Sequence, residues 1–295
     1  MTSLTLSKNS PMRDDAFIFG VATSSFQIEG ATKSRAKNIW DTFCQKPGAI
    51  SDRSNGEPGC EHVALWQQDV ELIQSLNVDA YRLSVSWARV IDDNGRVLQQ
   101  GLEFYIHLLS ALKRQGIKTY VTLYHWDLPQ SLEDKGGWLN RDTIAAFKRY
   151  TEVIVNAFSG LVDSYATLNE PWCSAYLGYE LGIHAPGKTG RRNGIIAAHH
   201  LLLAHGEAMK VLNEHSPDTE NGIVVNLSPC FAASQSDQDH AAAKMAHDYF
   251  NRWYLDPLLK GRYPELLADF QQTYALADVV QAGDLEIINQ PIDFL

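Results

Sequence analysis

A carboxylate stands directly after an apolar run in Thr167-Leu168-Asn169-Glu170-Pro171-Trp172, with an amide before it and an indole after it. Glu170 can do the acid/base work of glycoside hydrolysis there. Protonated, it delivers H⁺ to a leaving oxygen; ionised, it activates water. The plainer alternative is a glutamate that caps the next helix or pairs with an arginine. On spacing alone the two readings stand level.

Two further clusters have a related character. Tyr124-His125-Trp126-Asp127 sets an imidazole beside an indole, and Gln27 brings an amide after an earlier apolar run, with Glu29 two residues on. A pyranose offers hydroxyls around an apolar ring face, so its site needs hydrogen-bonding side chains beside an aromatic platform. Taken singly, His125 is better read as a satisfied core histidine and Trp126 as a packing residue. Arg82 lies inside the apolar run 81–85. Buried there, it would need a carboxylate partner.

These groups must be positioned by the apolar runs that precede them. Strands are expected at 17–22, 80–86, 118–124, 164–168 and 223–227, with 292–295 as the start of a sixth. Each is nearly continuously apolar, as in a parallel sheet covered on both faces. Helical periodicity fills 62–76, 102–113, 143–158 and 195–212, the length that parallel crossovers require. Repeating βα units with long strand-to-helix loops predict an α/β fold, a TIM (β/α)₈ barrel. There the residues after each strand converge on one face. No linker divides the chain, so 1–295 reads as a single domain. Only five units and a stub are counted, and an open barrel leaves an unpaired apolar edge. The barrel is therefore expected to be incomplete.

Composition narrows the partners. The chain has 295 residues, 45% of them hydrophobic, and 25 Lys+Arg against 35 Asp+Glu, a formal charge of −10. Such an acidic surface has no electrostatic reason to hold nucleic acid or an anionic membrane. No run approaches a membrane span, and no secretory signal opens the chain. A cytoplasmic protein is expected. Cys44, Cys60, Cys173 and Cys230 are too widely spaced for a zinc ribbon and read as reduced, mostly buried thiols. His199, His200 and His205 do not form a facing i, i+4 pair, so no metal is expected. Nucleotide-binding glycine motifs are missing as well, and no cofactor is expected.

The residues then carry a family resemblance. The segment 17–30, Tyr81-Arg82-Leu83-Ser84-Val85-Ser86-Trp87, Thr122-Leu123-Tyr124-His125-Trp126-Asp127-Leu128-Pro129 and Thr167-Leu168-Asn169-Glu170-Pro171 resemble the successive strand-end motifs of family 1 glycoside hydrolases, in order. His184-Ala185-Pro186-Gly187 and Pro291-Ile292-Asp293-Phe294-Leu295 also match. The resemblance implies a retaining β-glucosidase-type hydrolase acting on terminal, non-reducing β-linked sugars through a covalent glycosyl-enzyme. Glu170 is its implied acid/base. Gln27, His125, Trp126 and Asn169 are its implied sugar-binding residues, with Arg82 and Asn226 near the nucleophile.

The family's nucleophile is the Glu of a Thr-Glu-Asn-Gly motif after the seventh strand. Here that string occurs as Thr219-Glu220-Asn221-Gly222, ahead of the expected fifth strand. Glu220 would then sit at the opposite end of the barrel from Glu170, roughly 17 Å away. Retaining chemistry needs carboxyls about 5–5.5 Å apart, so Glu220 reads as a decoy. The nucleophile is expected to be absent from this chain, which is then inactive alone. Other readings are a non-catalytic sugar-binding or interaction protein built on the fold, and a 6-phospho-β-glycosidase or β-galactosidase relative. A homo-oligomer or a complementing C-terminal fragment would cover the open edges.

Overall fold

The computed structural model describes residues 5–295. Five strands form one sheet: β1 (Gly20–Ala22), β2 (Ala80–Ser84), β3 (Lys118–Tyr124), β4 (Ser164–Asn169) and β5 (Glu220–Val224). Their spatial order is their order in the chain, and every neighbouring pair is parallel. A sheet without reversal has no topological switch point, so it continues as a barrel does and not as a doubly wound sheet. Beyond β5, Asp293 donates its N–H to the Asn221 carbonyl and Phe294 makes a parallel bridge to Gly222. The run 292–295 thus takes the sixth place.

The crossovers are α1 (His62–Ser75), α2 (Gln99–Arg114), α3 (Asp142–Ala157) and α4 (Arg191–His215). In α2, Leu102, Tyr105, Leu108, Leu109 and Leu112 recur at three- and four-residue steps, and all are buried. Lys113 and Arg114 suit the negative end of the helix, and Gly116 follows at φ +75°. Burying each such leucine contributes about 1.5–3 kcal/mol. α4 is buried on nearly every side from Gly194 to Leu212, so its histidines must find partners. His199 lies between the Tyr263 hydroxyl and Asp284, His200 meets the Trp138 carbonyl, and His205 meets the Thr167 hydroxyl. After β5 come α5 (Asp237–His247), capped by Ser236, and α6 (Trp253–Lys260).

Three sequence expectations are corrected. β1 is three residues long because the Phe17 N–H turns back to the Asp14 carbonyl, and the Phe19 N–H is taken by the Asp79 carboxylate. β5 starts three residues early, since Glu220 already donates its N–H to the Asp163 carbonyl. The Asn221-Gly222 pair, expected ahead of the strand, lies within it. Of the four cysteines, all free, only Cys173 is buried. Among the described residues, no helix is long and apolar enough to cross a membrane.

The register contains one irregularity that matters. Ala166 pairs with Gly222 and Asn169 with Val224, so β4 carries one residue more than β5 in that interval. Ser164 and Ala166 line a small inner cavity with Arg82, Thr122 and Glu220. Thr167 faces α4 through His205. Strict alternation would send Asn169 the way of Thr167. The bulge instead returns it to the inner side, where it meets Arg82.

Candidate active site

Asn169 and Glu170 close β4 at its carboxyl end. Glu170 has φ +45°, in the left-handed region that non-glycine residues rarely occupy. Such a residue costs about 1–3 kcal/mol and persists only where its surroundings hold it. Its N–H donates to the Val224 carbonyl at 2.7 Å, and its carbonyl accepts from the Cys173 N–H at 2.9 Å. The side-chain Oε2 accepts from the Cys173 thiol at 3.3 Å. Among the described residues Glu170 makes no ion pair and its carboxylate caps no backbone N–H, so neither plain alternative for it holds. Its other oxygen, Oε1, accepts no hydrogen bond among them.

Arg82 reaches across from β2. It donates from Nε to the Thr122 hydroxyl at 2.9 Å and from Nη2 to Asn169 Oδ1 at 2.7 Å. The carboxylate partner expected of it is thus replaced by neutral acceptors. Desolvation lowers the Arg82 pKa, and the charge of Glu170 acts the other way.

Trp126 is the second left-handed residue at a strand end, with φ +73°. Its indole N–H donates to the Asn169 carbonyl at 2.8 Å, and its own carbonyl accepts from the Trp40 indole at 3.0 Å. His125 lies beside it, with ring centroids 5.0 Å apart. Burial first, and then the charge of Arg82, pushes the His125 pKa down to about 4, so the imidazole is neutral near pH 7. Gln27 accepts from the Ser24 hydroxyl. Gln27, His125 and Trp126 share one cleft of about 400 Å³ with Phe26, Trp40 and His184.

The sequence-expected residues therefore fall into two linked groups. Gln27, His125 and Trp126 line the cleft, and Trp126 joins them to Asn169, Glu170 and Arg82. Asn226 lies two residues beyond β5, outside that cleft; its Oδ1 is buried with no partner among the described residues. Glu220 pairs with Ser164, the first residue of β4, whereas Glu170 follows the last. It is at the opposite end of the sheet, as expected. The other carboxylates that follow strands are turned inward. Glu29 binds Arg89 and Tyr105, and Asp127 binds Ser25. Burial raises the Asp127 pKa to about 7, with the charge of Glu29 adding to it.

Sequence reasoning missed Trp40 and Cys173. Trp40 sits in a short helix, Ile39–Cys44, opened by a reciprocal cap between Asn38 and Asp41. That Asn-x-x-Asp spacing was its legible signal. Cys173 carried none beyond its place three residues after Glu170. A larger hollow of about 740 Å³ lies between the turn at 91–97 and α3. None of the residues named above at the strand ends lines it.

A parallel βα sheet with a carboxylate, amides, an imidazole and indoles gathered at its strand ends is a barrel-type scaffold with an enzyme-like site. The chain belongs to glycosyl hydrolase family 1, whose model matches residues 9–295. It is 42% identical over 284 residues to a β-glucosidase of Agrobacterium sp., covering 94% of this chain and 61% of that protein. A solved β-glucosidase of Exiguobacterium marinum superposes with a TM-score of 0.92 at 41% identity, over 95% of this chain and 65% of that one. A family 1 β-glucosidase of Thermotoga maritima, in complex with isofagomine lactam, gives 0.89 at 39% identity over 95% and 64%. The chain thus spans under two thirds of the length of these relatives.

Proposed function

We propose that this chain carries the acid/base half of a retaining β-glucosidase-type hydrolase acting on terminal, non-reducing β-linked sugars. One observation carries the reading. Glu170 is held at a strand end with one carboxyl oxygen unengaged, linked through Asn169 and Trp126 to a cleft lined by Gln27 and His125.

In the first step Glu170 gives its proton to the glycosidic oxygen as the C1–O bond breaks, and the bonding pair leaves with the aglycone. A second carboxylate attacks C1 and forms the glycosyl ester. In the second step ionised Glu170 takes a proton from the water that attacks C1, and the ester carboxylate departs. We place the second carboxylate in the part of the family's sequence that this chain does not span. Neutral His125 and the Gln27 amide suit sugar hydroxyls, which both donate and accept. Asn169 would hold the 2-hydroxyl, whose hydrogen bond strengthens as the oxocarbenium-like state forms. Glucosides are favoured over phosphorylated sugars by the names of the relatives. The unpaired cysteines support a reducing, cytoplasmic setting.

The test is hydrolysis of an aryl β-glucoside by the 295-residue chain and by the same chain joined to the family's remaining strands. The joined chain should turn over and the shorter one should not. Turnover by the shorter chain would mean that it already holds a second carboxylate at the site.

A further inference from the structure

The geometry points to Cys173 as a positioning residue for the acid/base: its thiol holds Glu170 Oε2 and so leaves Oε1 as the oxygen that carries the transferred proton. The inference rests on the reading of Glu170 given above and deepens it.

Four features support it. Cys173 Sγ lies 3.3 Å from Glu170 Oε2, within range of a sulfur donor. Cys173 is also tied to the same residue through its backbone, N–H to carbonyl at 2.9 Å, so thiol and carboxyl are fixed to one frame. The carbonyl four residues back, that of Asn169, accepts the Trp126 indole N–H at 2.8 Å. The thiol makes its hydrogen bond to the carboxyl and not to that carbonyl. Finally, Cys173 opens a π-helical segment, Cys173–Glu180, that packs against α4. Segments of this wide form are frequent at functional sites.

Burial, then the Glu170 charge and the hydrogen bond itself, push the Cys173 thiol pKa up, so it remains S–H. It therefore acts as a donor and not as a nucleophile. From the other side, Arg82 on β2 is the cation whose field reaches Glu170, and its hydrogen bonds go to Thr122 and Asn169. The carboxyl is thus steered by a weak neutral donor and not locked by an ion pair. This suits a group that must gain and lose a proton in each cycle.

Two measurements test this. The first is the infrared S–H stretching band of the 295-residue chain, assigned as the band lost in Cys173→Ala. It should move to higher frequency in Glu170→Ala and by less in Glu170→Gln. An unmoved band in Glu170→Ala would overturn the proposal, whatever the chain's activity.

The second is leaving-group dependence in the chain joined to the remaining strands. Cys173→Ala should lower kcat/KM roughly three- to tenfold on an alkyl β-glucoside, whose glycosylation step needs proton donation. A dinitrophenyl β-glucoside, whose glycosylation step does not, should keep its kcat/KM within about twofold. Cys173→Ser should restore most of the loss. Equal losses on both substrates, or no rescue by serine, would make Cys173 merely structural and overturn the proposal. If the parent chain fails on both glucosides, the hydrolase reading falls, while the infrared result still decides the thiol contact.

Discussion

Arg82 Nη2 donates to Asn169 Oδ1 at 2.7 Å, tying the middle of β2 to the last residue of β4. The contact exists because the β4 bulge turns Asn169 inward, and it fixes the amide one residue before Glu170. Asn169→Ala leaves a half-buried guanidinium without one acceptor and removes a candidate sugar contact. A loss of about 1–3 kcal/mol in transition-state binding is expected, about five- to 150-fold in kcat/KM. Steady-state kinetics on the joined chain checks this, with a fall in kcat greater than any rise in KM.

Glu170→Gln keeps the shape of the side chain and removes its proton transfer. Hydrolysis of an alkyl β-glucoside should fall by about 10²–10⁴-fold, while binding of a sugar-shaped inhibitor persists. Calorimetric binding beside kinetics separates the two effects. Unchanged turnover would remove Glu170 from the acid/base role.

Glu220→Gln is the matching control. Glu220 lies at the amino end of β5, paired with Ser164, so it touches none of the strand-end residues. Activity should stay within about twofold and stability within about 0.5 kcal/mol. A collapse of activity with intact folding would reverse the assignment of the Thr-Glu-Asn-Gly string.

Acid stability depends on histidines buried in the neutral state. Burial lowers the pKa of His205 to about 3, and its Nδ1 is engaged by the Thr167 hydroxyl. The unfolded chain binds this proton at about pH 6.5, so between those values the unfolded state holds more protons and folding weakens as pH falls. The contribution of His205 is complete above pH 6.5 and is lost at up to about 1.4 kcal/mol per pH unit below it. Asp127 has the opposite sign. Its raised pKa favours the folded state at low pH, and that benefit is lost as pH rises towards about 7. Denaturant unfolding from pH 7 to 4 should show a smaller slope in His205→Gln than in the parent chain. Equal slopes would mean that this imidazole already titrates normally in the fold.

Gly178→Ala tests the support of the cleft. A Cβ there would come within 2.5 Å of the Ala185 carbonyl, next to His184. The segment bearing His184 must shift, and His184 lines the cleft with Trp40 and Trp126. A cost of about 1–3 kcal/mol in stability is expected, together with a raised KM. Thermal unfolding and kinetics on the same sample check both.

The sequence by itself determined much of this protein. Apolar runs with helical patterns between them dictated parallel βα units, because continuous apolar strands must be covered on both faces. The placement of Gln27, His125, Trp126 and Glu170 after those runs put them at one end of the sheet, and the same logic put Glu220 at the other. Only the tertiary structure decided how they meet. The β4 bulge reverses the side to which Asn169 points, and a one-residue change of register carries no signature in residue type. The left-handed turns at Trp126 and Glu170 are held by distant carbonyls and indoles, which local propensity does not record. Long-range geometry also exchanged the expected carboxylate partner of Arg82 for an amide and a hydroxyl. It turned Glu29 and Asp127 into buried contacts, while the left-handed turn at Glu170 set Cys173, three residues on, against the one carboxyl oxygen it touches.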